Sequence, residues 1–347
     1  MRRNARVLCA ALVGGAVLVG CKEKQPADKP VTLVMAEVNP AETIAGQMDA
    51  AFKQKVEELS GGTITIDLQT SGILGDVDSV MDIMLKPNSS IQLHRMSAVN
   101  MATYGCEKTG LLAVPFTFSS KDHFWRFAAS ATAQELLAEP AEKGLGVQGL
   151  FFAEEGFRHF FSTKDIKGVE DFAGINVRGT NDAAMQGLIA GLRAHSVPVN
   201  FADLYSAIQT RVIDAAEQPI ANYLANHFNE VAPYMILDGH TLGVMELVIT
   251  TEAWNALSAR QQQILTEAGA YASDFCRTLS QQEEDKVRAQ LVAEGATINE
   301  VADIAPWQEA CADVIREASA ADPLLYQDIL NLANPTNAQP SRKSFAK

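Results

Sequence analysis

From residue 31 onward, short apolar runs rich in β-branched residues alternate with stretches whose apolar residues recur every three to four positions. Residues 31–35 read as a strand, 41–59 as an amphipathic helix and 63–68 as a strand, a βαβ opening. Asn39-Pro40 supplies a capping residue and a proline at the helix start, and Gly61-Gly62 supplies a C-cap. A helix at 76–85 and strands at 91–94 and 111–116 continue the alternation. A second set follows, with strands at 147–152, 158–162, 175–178, 197–200 and 212–215 and helices at 182–192 and 204–210. Strands at 235–237 and 242–250 then return toward the first set. The last long pattern, residues 259–294, carries an apolar stripe of Ile264, Leu265, Ala268, Ala272 and Phe275. At 1.5 Å per residue it runs roughly 50 Å, long enough to brace two lobes. The pattern as a whole predicts two α/β lobes of the doubly wound kind.

The N-terminus adds an export signal. Arg2, Arg3 and Arg6 precede an apolar run, residues 7–19, too short to span a bilayer as a mature helix. It ends in Leu18-Val19-Gly20-Cys21, which resembles the bacterial lipoprotein cleavage box and makes Cys21 the expected lipidation site. Residues 1–21 are thus expected to be signal, and 22–30, polar with two prolines, a flexible tether. Losing the signal takes the basic residues from 28 to 25 against 42 acidic ones, about −17 for the mature chain. That balance argues against nucleic acid as a partner. With no second long apolar stretch, membrane contact is expected only through the lipid anchor or a partner.

Of the remaining cysteines, Cys106, Cys276 and Cys311, the last two could form one disulfide in an oxidising compartment or stay as buried thiols. No Cys-x-x-Cys or Cys/His cluster has zinc spacing, so no metal site is expected. Gly144-Leu-Gly-Val-Gln-Gly149 fits a dinucleotide pattern but follows a helix and enters a strand, the reverse of phosphate binding at a helix N-terminus. P-loop, nucleophile-elbow and H-E-x-x-H motifs are absent. The acidic pairs Glu57-Glu58 and Glu154-Glu155 read as solvated faces or caps. Neither a cofactor nor a catalytic residue is indicated.

The sequences Ile175-Asn-Val-Arg178, Phe201-Ala-Asp-Leu-Tyr-Ser-Ala-Ile-Gln-Thr210 and Val212-Ile-Asp-Ala-Ala-Glu-Gln-Pro219 occur in order. With Gly72-Ile-Leu-Gly75, Val114-Pro-Phe116 and the long C-terminal helix, they resemble the substrate-binding subunits of tripartite ATP-independent periplasmic (TRAP) transporters, the DctP-type family. The resemblance covers nearly the whole mature chain. It implies a two-lobe periplasmic binding protein fold with central mixed sheets, crossing segments and a bracing C-terminal helix. Lobe I is expected over 31–154 with a return at about 242–283, lobe II over 155–241 with about 284–333, and a polar tail over 334–347.

The implied function is capture of a small carboxylate-bearing organic acid by lobe closure and delivery to an ion-coupled permease, with no cofactor. Arg178 matches the family's carboxylate-binding arginine, a planar fork suited to two carboxylate oxygens. Arg158 matches a second, supporting arginine. Gln218 stands where the family commonly has an asparagine, and Phe201 matches a pocket aromatic. Arg95 and Tyr205 are further candidates, and Glu37 and Asn39 follow the first strand, where open α/β sheets bind ligands. Two readings from other classes stay open: a sensory surface lipoprotein with the same fold, and an exported hydrolase using scattered acids.

Overall fold

The computed structural model describes residues 28–179 and 183–337; the signal segment, Cys21 and the end of the tail lie outside the described residues. Its strands are β1 (Val31–Ala36), β2 (Ile64–Gln69), β3 (Leu93–Ser97), β4 (Val147–Ser162), β5 (Asn176–Gly179), β6 (His195–Pro198), β7 (Ala215–Pro219), β8 (Tyr234–Thr250) and β9 (Thr297–Glu300). They form one mixed sheet in the order β2-β1-β3-β8-β4-β7-β5-β6, with β9 on β8. β1 is parallel to β2 and β3, and β5 is parallel to β6 and β7. The long strands β4 and β8 pair antiparallel and carry the chain between the two halves.

Alternation along the strands explains the layers, because successive side chains leave opposite faces of a strand. Leu33 and Met35 enter one core of lobe I, while Val34 and Ala36 face another. In lobe II, Phe160 and Ala215 enter one core, and Phe161 and Ala216 enter the core on the other face. Each half of the sheet is therefore covered on both sides, the doubly wound arrangement the sequence predicts.

The first helix, Ile44–Ser60, begins at Thr43, whose hydroxyl accepts the Gly46 N–H at 3.0 Å, not at Asn39. Its end is at Gly61, with φ +59°, a left-handed conformation that glycine adopts without a Cβ clash. The long helix spans Ala259–Ala293 behind a capping box of Ser258 and Gln261. Ile264, Leu265, Ala268, Ala272 and Cys276 pack into lobe I, and Val287 and Leu291 into lobe II, so this helix does brace both lobes. Cys276 rather than Phe275 fills the fifth core position; Phe275 is half-buried.

Several expectations need correction. Residues 111–116 are not a strand: Leu111–Ala113 form a 3₁₀ turn, and the run ends at Phe116 with φ +61° and its N–H bonded to the His240 carbonyl at 2.8 Å. The apolar character reflects burial alone. The strands expected at 147–152 and 158–162 are one strand, β4, and those at 235–237 and 242–250 are one strand, β8. Register shifts between Gly149/Phe151, Glu154/Phe157 and Arg158/Phe160 let them bend without breaking. The strand expected at 212–215 begins at Ala215 instead. The final helix, Pro323–Asn331, sends Leu325, Tyr326 and Ile329 into the lobe I core, whereas the sequence places residues 284–333 in lobe II. Cys276 and Cys311 sit in different cores as separate buried thiols, as does Cys106, so no disulfide joins them. Glu154 and Glu155 are buried rather than solvated.

Candidate functional site

Parallel strands end on the same side, and their following loops converge there. In this sheet, those loops enclose a cavity of about 940 Å³ between the lobes, at the upper end of the range for small-molecule sites. Lobe I supplies the turns after β1 and β2 and the junction of β3 with the helix Ala98–Thr103. Lobe II supplies the ends of β5, β6 and β7 and the helix Ile220–Ala225. Arg158 comes from the middle of β4, just past its second register shift.

Of the eight residues singled out from sequence, Arg178, Arg158, Gln218, Phe201, Arg95, Tyr205 and Asn39 line this cavity. Glu37 does not; it lies behind Arg95, only 1% exposed. Arg95 donates from Nε to Glu37 Oε2 at 2.7 Å and from Nη2 to Oε1 at 2.5 Å, a buried fork. Asn39 donates to the same Oε1 from its backbone N–H at 2.6 Å and from Nδ2 at 2.8 Å. Burial alone would raise the Glu37 pKa, but the Arg95 charge and these N–H groups outweigh it and hold the carboxylate below its ordinary range.

Arg158 is held by a second fork. Its Nε and Nη2 donate to the two oxygens of Glu217, the latter at 2.9 Å, and its Nη1 reaches Glu155 at 3.4 Å. Glu217 faces three cations: Arg158, Arg178 Nη1 at 4.0 Å and His240 Nε2 at 3.6 Å. Burial would raise Glu217, yet Arg158 and His240 bring it down to about 2. His240 is fully buried, and its Nδ1 contacts Asp238 at 2.5 Å. Burial would lower His240, but Asp238 and Glu217 lift it to about 9, so it is a cation at neutral pH. Arg178 is fixed at its Nε, which donates to the Val199 carbonyl at 3.1 Å.

Around these charges the polar part of the wall is mostly amides and hydroxyls, with apolar residues such as Met96, Leu188 and Val199 between them. Gln218 is 3% exposed, and its amide makes no hydrogen bond to the described residues. Asn222 donates to Glu155 at 3.0 Å. Phe201 meets Phe228 edge-on at 6.2 Å, so it both lines the cavity and packs in the lobe II core. Tyr205 donates its hydroxyl to Glu230 at 3.0 Å. Sequence reasoning missed Glu217, His240, Asp238, Asn222 and Glu155 as parts of this network. Glu217 stands beside Gln218 within the quoted motif, and an acid directly after Ala215-Ala216 in a short strand was a usable signal; the His240 link exists only through strand pairing. Among the described residues, no group of acids, histidines or cysteines could hold a metal.

The geometry is that of a two-lobe binding cleft, and comparison with known proteins decides its family. Residues 35–322 match the family model described as DctP, bacterial extracellular solute-binding protein, family 7. The chain belongs to the DctP family. As a family member it is an extracytoplasmic solute-binding protein of transport, not an enzyme. The C4-dicarboxylate-binding periplasmic protein DctP of Rhodobacter capsulatus is 21% identical over 293 residues, covering 84% of this chain and 86% of that protein. A TRAP periplasmic solute-binding protein of Sulfitobacter sp. NAS-14.1, solved with bound β-D-galacturonate, is 25% identical with a TM-score of 0.80, covering 87% of this chain and 99% of that one. The sugar acid binding protein of Advenella mimigardefordensis, solved with galactonate, superposes with a TM-score of 0.83 at 22% identity, covering 90% of this chain and 99% of that one.

Proposed function

We propose that this DctP-family protein captures a small carboxylate-bearing organic acid, of the sugar-acid class, between its lobes and delivers it to an ion-coupled TRAP permease. The observation that carries this reading is Arg178: it ends β5 in the wall of an interlobe cavity whose other polar groups are largely amides and hydroxyls. A guanidinium accepts a carboxylate as a fork, and the surrounding Asn39, Asn100, Gln218 and Asn222 suit the hydroxyls of a sugar acid. Arg158, steered by Glu217, supports the same carboxylate; Phe201 and Tyr205 close the side of the pocket. The Sulfitobacter relative, with galacturonate bound, supports the ligand class. Ligand contacts from both lobes stabilise the closed state, and closure proceeds as far as that state holds the ligand better.

The reading includes a lipid anchor at Cys21, supported by the Leu18-Val19-Gly20-Cys21 box, with the body on the periplasmic or cell-surface side. Replacing Cys21 with Ser would abolish lipid labelling of the expressed protein; persistent labelling would remove the anchor from the proposal. The binding function is tested by denaturing purified protein and identifying what it releases. An intact organic acid supports carriage, and a hydrolysed product would favour an enzyme instead.

A further inference from the structure

The lobe I wall contains a polar unit whose hydrogen-bonding capacity is only half used. Arg95 is 5% exposed and spends Nε and Nη2 on Glu37, while its Nη1 makes no hydrogen bond to the described residues and its side chain lines the cavity. Asn39 is 4% exposed and lines the same cavity. Because a carboxylate only accepts, the Asn39 amide must present Nδ2 to Glu37, which leaves Oδ1 as an acceptor with no hydrogen-bond partner among the described residues. One unpartnered donor and one unpartnered acceptor thus lie in the cavity wall, on residues that share the same Glu37 oxygen.

Their combined charge is zero, since the Glu37 carboxylate offsets the Arg95 guanidinium in a fork. Asp49 lies near this pair, fully buried, and burial together with the Glu37 charge raises its pKa well above the ordinary range. Elsewhere the wall gives no surplus of positive charge: its two other arginines, Arg158 and Arg178, are matched by the four acids Asp76, Asp78, Glu155 and Glu217.

Resting on the proposed function, we infer that Arg95, Glu37 and Asn39 form a specificity-determining subsite that accepts a neutral hydroxyl or carbonyl of the ligand and rejects a second carboxylate. A hydroxyl can accept from Arg95 and donate to Asn39 Oδ1. A carboxylate has nothing to donate, would face Asn39 Oδ1 lone pair to lone pair, and would meet an arginine already neutralised. Glu37 is then a positioning and charge-setting residue rather than a ligand contact, and the protein selects monoacids over diacids of the same length.

Calorimetry with galactonate and galactarate tests this, since the two open-chain acids differ only in whether the far carbon is a hydroxymethyl or a carboxylate. The wild type is expected to bind galactonate at least tenfold more tightly. In a Glu37→Gln, Asp49→Asn double variant, which removes the Glu37 fork and the nearby Asp49 carboxyl and leaves Glu155 as the remaining acid acting on Arg95, the preference is expected to shrink at least tenfold or invert. Equal or tighter wild-type binding of galactarate would overturn the inference alone, as would a double variant that folds and keeps the wild-type ratio. Should the double variant not fold, the wild-type comparison decides by itself. Failure of both acids to bind would instead overturn the sugar-acid reading on which the inference rests.

Discussion

Replacing Glu217 with Gln removes one charge from a buried group of four. Arg158, with its side chain 12% exposed, loses its fork, and fully buried His240 loses one of its two anions. Breaking a buried pair from one side costs about 3–5 kcal/mol, because the surviving charge stays desolvated. With an unfolding entropy near 0.0021 kcal/mol/K per residue, about 300 folded residues give roughly 0.6 kcal/mol/K, so the melting temperature should fall by about 5–8 °C. The pH dependence supplies a second signature. His240 has its folded pKa raised to about 9 from an ordinary value of 6.5, so its protonated form stabilises the fold. That stability is complete below pH 6.5 and is lost as the pH rises through 9, an amplitude of about 3 kcal/mol or near 5 °C. In Glu217→Gln the His240 pKa should move down toward its ordinary value, and the decline between pH 6.5 and 9 should flatten. Differential scanning calorimetry of both proteins from pH 5.5 to 9.5 reads both effects. A variant that melts within 1–2 °C of wild type, with the same pH profile, would refute the buried network.

Three further outcomes follow from other parts of the molecule. Arg178→Ala should weaken binding of the carboxylate ligand at least tenfold, from loss of a charged hydrogen bond worth about 1.5–3 kcal/mol, and unchanged affinity in calorimetry would remove Arg178 from the site. Gly243→Ala should destabilise by about 1–3 kcal/mol, because its Cβ would lie 2.7 Å from Glu155 Cγ and 3.1 Å from the Gly156 carbonyl oxygen where β4 and β8 cross; a wild-type melting temperature would show that the crossing can yield. Cys106, Cys276 and Cys311 should resist thiol reagents until the protein unfolds, and dithiothreitol should leave the melting temperature unchanged, whereas a drop would reveal a disulfide.

The elements that local pattern specifies were legible in the sequence. The long helix Ala259–Ala293 has a capping box and an apolar stripe, and Gly61 ends the first helix in the conformation glycine favours. Arg178 and Gln218 could be placed beside the cavity through the resemblance of their motifs to the TRAP family, and Asn39 because strand ends in an α/β sheet converge. What pairing creates was not legible. Gly156 and Gly239, with φ +98° and +57°, read as interruptions, yet β4 and β8 run through them as bent crossing strands. The partner of Arg158 lies 59 residues away in β7, so the fork with Glu217 exists only after folding. The run ending at Phe116 misled for a related reason: Leu111, Leu112 and Val114 are buried in the lobe I core, and burial alone does not distinguish a strand from a turn.

The central claim is that the interlobe cavity binds an organic acid through Arg178. A thermal-shift screen of purified protein and its Arg178→Ala variant against sugar acids, dicarboxylates and keto acids, with neutral sugars and amino acids as controls, tests it most directly. A ligand at a hundred times its dissociation constant adds about 2.7 kcal/mol, roughly 4 °C for a chain of this size. Such a rise is expected with a sugar acid, and its disappearance in the variant; stabilisation by neutral compounds alone, or a carboxylate shift that survives the loss of Arg178, would contradict binding through Arg178.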